Sequence, residues 1–185
     1  PWTSITWPMV RRWTDTPLTE SEAKPLFDAR DIYKPIQPTL SPVVHSLSVC
    51  DLGVEAMRRN LECKTTAIVG PDARTFYVSP DDVYLWLATT DDYGADACKT
   101  ANHLRVEDGV PASVFRIPLA GGKPKVMQAR GVPRDQFAMD TSSGEFRALV
   151  HWGWSGCNDD ERGQTQVRYF SAPLSGFRSG VRETA

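Results

Sequence analysis

TFYVSPDDVYLWLATT, residues 75–90, decides the fold. Val83 to Ala88 is a dense run of β-branched, aromatic and aliphatic residues after Ser79-Pro80-Asp81-Asp82, where proline presets the first turn angle and aspartate tolerates the second. A run bounded this way, and too short for a helix, reads as a buried strand. Thr75 to Val78 reads as its partner, so Thr75 to Thr89 is a predicted hairpin. Downstream, Ser113 to Ile117 alternates and stops at Pro118-Leu119-Ala120-Gly121-Gly122, and Lys125 to Ala129 follows the turn. Together these predict a four-stranded antiparallel meander.

The same pattern returns in worn form. Gln136 to Asp140 reads as a strand, Thr141-Ser142-Ser143-Gly144 as a turn, Phe146 to Trp152 as the next strand and Val167 to Ser171 as a third. Pro173-Leu174-Ser175-Gly176 matches Pro118-Leu119-Ala120-Gly121 at an offset of 55, whereas the hairpins match at an offset of 63. The difference falls in the loop between the second and third strands. Four short strands recurring at roughly 40–60 residues is the period of a β-propeller blade, in which each unit buries its faces against its neighbours. A propeller has about 4–8 blades, so two units do not close a ring. The chain is then part of a longer polypeptide, or partners cover its edges, or the meanders form a sandwich.

The 185 residues are 41% hydrophobic and 24% charged, with a formal net charge of −2 and a pI near 5.9. Such a chain holds a core, and its balanced charge argues against nucleic acid as a main partner. No apolar run approaches the ~20 residues that cross a bilayer, so no transmembrane segment is expected. Without a signal peptide or an initial Met, Pro1 reads as a processed or truncated end.

Three regions follow from composition. Residues 1–42 hold seven of the 14 prolines, which excludes long helices and central strands. This is an extended arm with one short helix at most, Thr19 to Phe27, where Thr19-Glu20-Ser21-Glu22 resembles a capping box. The arm carries Trp2, Trp7 and Trp13, which either anchor it to the sheet or bind a partner chain, a lipid surface or a sugar. Residues 43–176 hold the blade-like units. Here Val43 to Cys50 is a strand, the outermost of a preceding blade in the propeller reading, and Cys63 to Gly70 is the next. Residues 177–185 show no pattern and read as a tail.

Four cysteines without a C-x-x-C pair, in a strand-rich chain, favour disulfides and an oxidising compartment, although three connectivities are open. Cys50–Cys63 would clasp the excursion between two neighbouring strands. Cys98 and Cys157 then remain, in corresponding loops that adjacent blades would bring side by side. Four buried thiols in a reducing compartment is the competing reading. Zinc is another, with Cys98, His103, His151 and Cys157 as two sulfurs and two nitrogens at loose spacing. The same loops carry Asp91, Asp92 and Asp96, and Asp159 and Asp160. Calcium needs six to eight oxygens, and without the D-x-D-x-D-G spacing these clusters read first as solvated loops. No cofactor is therefore expected.

Catalytic motifs are scarce. Gly153-Trp154-Ser155-Gly156-Cys157 approaches a nucleophile elbow, yet cysteine replaces the closing glycine and no helix follows. No phosphate-binding glycine loop precedes a helix, and no H-E-x-x-H occurs. Asp81 and Asp82 lie in a turn that already accounts for aspartate.

Pro17-Leu18, Val44-His45-Ser46, Cys50-Asp51-Leu52, Cys63 to Ala67, Phe76 to Ser79 and Val83 to Trp86 resemble bacterial secreted proteins with a C-terminal β-propeller domain distantly related to WD-type repeats. Phe115 to Leu119, Gln128 to Gly131 and Asp135-Gln136-Phe137 are similar to that family's next blade. The resemblance spans residues 17–175 and implies a propeller outside the cytoplasm, with no catalytic residues to carry over. The family's domain is several blades longer than this chain.

The expectation is an all-β, exported, secreted or periplasmic or cell-surface segment that binds or scaffolds protein without catalysis. Its partner is another protein or the remaining blades of a longer chain. The alternatives are a metal-dependent hydrolase or oxidoreductase using the acidic loops, and carbohydrate or cell-surface binding by Trp152, Trp154 or the arm tryptophans.

Overall fold

The computed structural model describes residues 9–10, 24–36, 39, 42–54, 63–89, 110–152 and 166–180. Fourteen strands appear among them: β1 (Met9–Val10), β2 (Lys24–Pro25), β3 (Ile32–Tyr33), β4 (Val43–Cys50), β5 (Cys63–Gly70), β6 (Arg74–Val78), β7 (Asp82–Ala88), β8 (Pro111–Pro118), β9 (Lys125–Arg130), β10 (Val132–Pro133), β11 (Met139–Ser142), β12 (Glu145–Trp152), β13 (Gln166–Pro173) and β14 (Arg178–Ser179). The fold is all-β, and no sheet closes on itself among the described residues.

The predicted meander is the central sheet, in the order β14-β9-β8-β7-β6. Period-two alternation gives β7 two buried faces. Tyr84, Trp86 and Ala88 join Ala112, Val114 and Ala129 on one side, in a cluster completed by Met139, Phe146, Ala148, Val150 and Phe177. Val83 and Leu87 join Phe115, Ile117 and Val126 on the other, against Tyr33 and Ile68. The central sheet is thus packed between two others, which explains why β7 reads as a continuous apolar run.

On one side lies the first sheet, β3-β5-β4. β4 and β5 pair antiparallel over eight residues, from Val43↔Gly70 to Cys50↔Cys63. β4 is an edge strand of this sheet, next to β5. β3 joins the other edge of β5 in parallel, Ile32 opposite Ala67, which the proline-rich composition of the arm did not suggest.

On the other side lies the third sheet, in which β12 pairs with β13 along its whole length. Its second edge is shared by β11 and, farther along, β10. The β11–β12 hairpin turns through Ser143 and Gly144 at φ 53° and 78°, the two positive angles that a tight two-residue hairpin turn needs.

Three local expectations change. Gln136 to Asp140 is not one strand: Asp135 Oδ1 accepts hydrogen bonds from the Phe137 and Ala138 amides at 2.9 and 3.1 Å, holding Gln136–Ala138 in a 3-10 turn. A side-chain acceptor here competes with the sheet ladder, so β11 starts only at Met139. The helix expected over Thr19 to Phe27 is replaced in its described part by β2, because Pro25 lacks an amide hydrogen and biases Lys24 toward extended backbone. Residues 177–180 are not a tail. Phe177 is buried beside Tyr84 and Phe146, with ring centroids 5.9 and 6.1 Å away, and β14 pairs with β9.

Candidate functional site

One end of the first sheet faces the turn that ends β8. An open cleft of about 1440 Å³ lies there, between β4–β5 and the Pro118 to Gly122 turn that joins β8 to β9. Leu47, Val49, Ile117 and Leu119 supply apolar walls. They reach the cleft because alternation turns 47 and 49 to the inner face of β4, and because Pro118 ends β8 and turns the chain outward. The turn is held by the Leu119 amide donating to Asp81 O at 2.8 Å. Across the cleft Lys64 reaches toward Gly121: a Cβ added there would lie 3.4 Å from Lys64 Nζ, at a φ of +90°.

Two carboxylates at the rim, Asp28 and Asp51, already have partners. Asp28 Oδ1 accepts from the Arg30 amide and Nε at 2.9 and 3.0 Å, and the Arg30 guanidinium, first by hydrogen bonding, holds the Asp28 carboxyl below its ordinary value. Asp51 accepts from the Gly53 amide at 2.8 Å. An apolar groove with fixed charges at its edge suits binding of an extended partner segment.

Cys50 and Cys63, opposite residues at the end of the β4–β5 ladder, form a disulfide and line this cleft. The second predicted pair, Cys98 and Cys157, lies outside the described residues. So do His103, the acidic residues Asp91, Asp92, Asp96, Asp159 and Asp160, the tryptophans Trp2, Trp7, Trp13 and Trp154, and the Gly153 to Cys157 segment. Of the proposed zinc set only His151 is described, on β12 opposite Val167. Trp152 is the last residue of β12, opposite Gln166. No group of three or more His, Cys, Asp or Glu gathers as a metal site among the described residues.

Two buried polar arrangements lie beside the stack. His45, on the inner face of β4, donates from Nε2 to Pro71 O at 2.8 Å, and burial pushes its imidazole below the ordinary value despite that bond. Asp82 is not a turn residue serving turn geometry alone. It opens β7, is buried, and receives Arg116 Nη2 at 2.7 Å. Burial first, then the Asp82 charge, pushes the adjacent Tyr84 phenol up to about 12. Asp82 and Arg116 are diagonal neighbours on paired strands, so opposite charges at those positions were a usable signal. The cleft left none, since its walls come from segments far apart in sequence. Compared with protein families, with curated proteins and with solved structures, the chain matches none.

Proposed function

We propose that this chain is an exported, non-catalytic stack of propeller-type sheets that binds or scaffolds another protein. The observation that carries the reading is the stacking order. Three sheets pack face to face in chain order, and the offset of 63 maps Val83, Leu85 and Leu87 onto Phe146, Ala148 and Val150. Val83 and Leu87 are buried toward the preceding sheet and Leu85 packs against the same cluster; Phe146, Ala148 and Val150 are buried toward theirs. Successive blades of a propeller keep this orientation. The Cys50–Cys63 disulfide supports an oxidising compartment, and the resemblance to secreted propeller proteins points the same way.

The cleft beside that disulfide is the candidate contact surface. A photoreactive residue at Leu119 is expected to give a discrete protein adduct in the native compartment, whereas one at exposed Leu52 gives none. Native protein treated with a thiol reagent is expected to be labelled at neither Cys50 nor Cys63 until it is reduced. Rapid labelling of both thiols would remove export; turnover of a substrate lost on mutating cleft residues would replace binding with catalysis.

A further inference from the structure

Cys50 and Cys63 are the last directly opposed pair of the β4–β5 ladder, and their surroundings differ from those of a buried structural bridge. The pair closes the end of an edge strand, and no strand pairs with the far side of β4 among the described residues. Cys63 is exposed and Cys50 half-buried, so the bridge is open to an attacking thiolate on its Cys63 side. Neither cysteine belongs to the buried clusters that hold the stack, built around Tyr84, Trp86 and Phe146 on one side and Ile68, Leu87 and Phe115 on the other.

We infer that Cys50–Cys63 is an exchangeable disulfide, opened in the folded protein by a dithiol, and that it acts as a redox clasp on the rim of the cleft. Exposed disulfides are the labile and regulatory ones, whereas structural bridges resist reduction. One thiolate of the dithiol attacks Cys63 Sγ, the Cys50–Cys63 bond breaks, and Cys50 leaves as a thiolate. The second thiolate of the dithiol attacks the dithiol sulfur of the mixed disulfide, closes the dithiol's own disulfide and releases Cys63. Two electrons pass to the cystine, and the two protons given up by the dithiol end on the cysteines. The ladder holds without the bridge: seven further pairs run from Val43↔Gly70 to Val49↔Lys64. The Ser48 and Thr65 hydroxyls, two pairs in from the bridge, hydrogen-bond at 2.7 Å. What opening frees is the rim, where Cys50, Asp51 and Cys63 line the cleft and Asp51 Oδ1 holds the Gly53 amide at 2.8 Å.

The test treats the native 185-residue chain with dithiothreitol, quenches by alkylation at intervals and reads the Cys50 and Cys63 peptides by mass. Near-ultraviolet circular dichroism and amide hydrogen exchange are followed in parallel. The bridge is expected to open within about a hundredfold of its rate in denaturant, with the aromatic dichroism retained. Glutathione, a monothiol, is expected to leave its first adduct on Cys63. Exchange should rise at the Gly53 amide on reduction and stay unchanged at Ile68 and Trp86. Opening slower than that hundredfold limit, in step with the rare population of unfolded chain, overturns the inference, because the bridge is then reached only through unfolding. Loss of the aromatic dichroism as the bridge opens overturns it in the same way, and unchanged exchange at Gly53 overturns the clasp.

Discussion

Trp86 donates its indole N–H to the carbonyl oxygen of Gly131 at 3.0 Å. The bond ties the buried centre of β7 to the bend where the chain leaves the central sheet for the third. Gly131 sits at φ +83°, and a Cβ there would come within 2.8 Å of the His151 carbonyl oxygen. Its own amide donates to Val110 O at 2.7 Å. One glycine therefore serves the turn, the close approach of β12 and the anchoring of the largest core side chain.

Gly131→Ala is expected to destabilise the fold by about 2 kcal/mol or more, since the angle and the contact both resist a side chain. Trp86→Phe is expected to cost about 1–3 kcal/mol, much of it from the carbonyl left unsatisfied. Chemical denaturation of each variant checks this. A Gly131→Ala protein as stable as the parent would show that the bend relaxes freely.

Most of the strands were legible because their signals are local. Val83 to Ala88 announces itself as a dense apolar run and Ser113 to Ile117 by alternation, each bounded by a proline, Pro80 or Pro118, and the structure pairs them as the sequence predicts. The Cys50–Cys63 bridge was legible for a related reason: both residues end strands that a short excursion separates. What failed was decided at a distance. The role of Phe177 depends on a gap between Tyr84 and Phe146, and β3 depends on a free edge of β5. No pattern within residues 177–180 or 32–33 encodes those neighbours. The cleft is hidden for the same reason, because Leu47 and Leu119 meet only through the stacking of two sheets.

The disulfide makes a separate prediction. Cys50 and Cys63 are 13 residues apart, and closing a loop of that size restricts the unfolded chain by about 3 kcal/mol in the entropic account. Thermal melting of the Cys50→Ser/Cys63→Ser double variant should fall by several degrees relative to the parent, with the central core unaffected as judged by near-ultraviolet circular dichroism. An unchanged transition would mean that β4–β5 pairing already holds the excursion closed in the unfolded ensemble.

Asp82 and Arg116 should behave as a unit. Their side chains are 6% and 24% exposed, so removing one partner strands a largely desolvated charge, at about 2–4 kcal/mol. Arg116→Met and Asp82→Asn are each expected to reach that range, while the double variant recovers part of the loss. Additive losses in the double-mutant cycle would show that the pair contributes no coupling and that packing alone accounts for both positions.

Tyr84 gives the pair a pH signature. Burial, reinforced by the Asp82 carboxylate, holds its phenol up to about 12, against an ordinary value of 10.0. The group is neutral in the folded state over a range where the unfolded chain has already lost the proton. Its contribution is therefore complete below pH 10 and declines as pH rises from about 10 to about 12, by on the order of 2 kcal/mol in all. Tyr84→Phe removes the titrating group while keeping the ring stacked on Phe146 at 4.7 Å between centroids. Stability measured from pH 9 to 12 should then fall less steeply in the variant than in the parent, and ultraviolet titration should lose one late-ionising tyrosine. Identical slopes for the two proteins would mean that the phenol reaches solvent before the fold opens, and that Asp82 is screened from it.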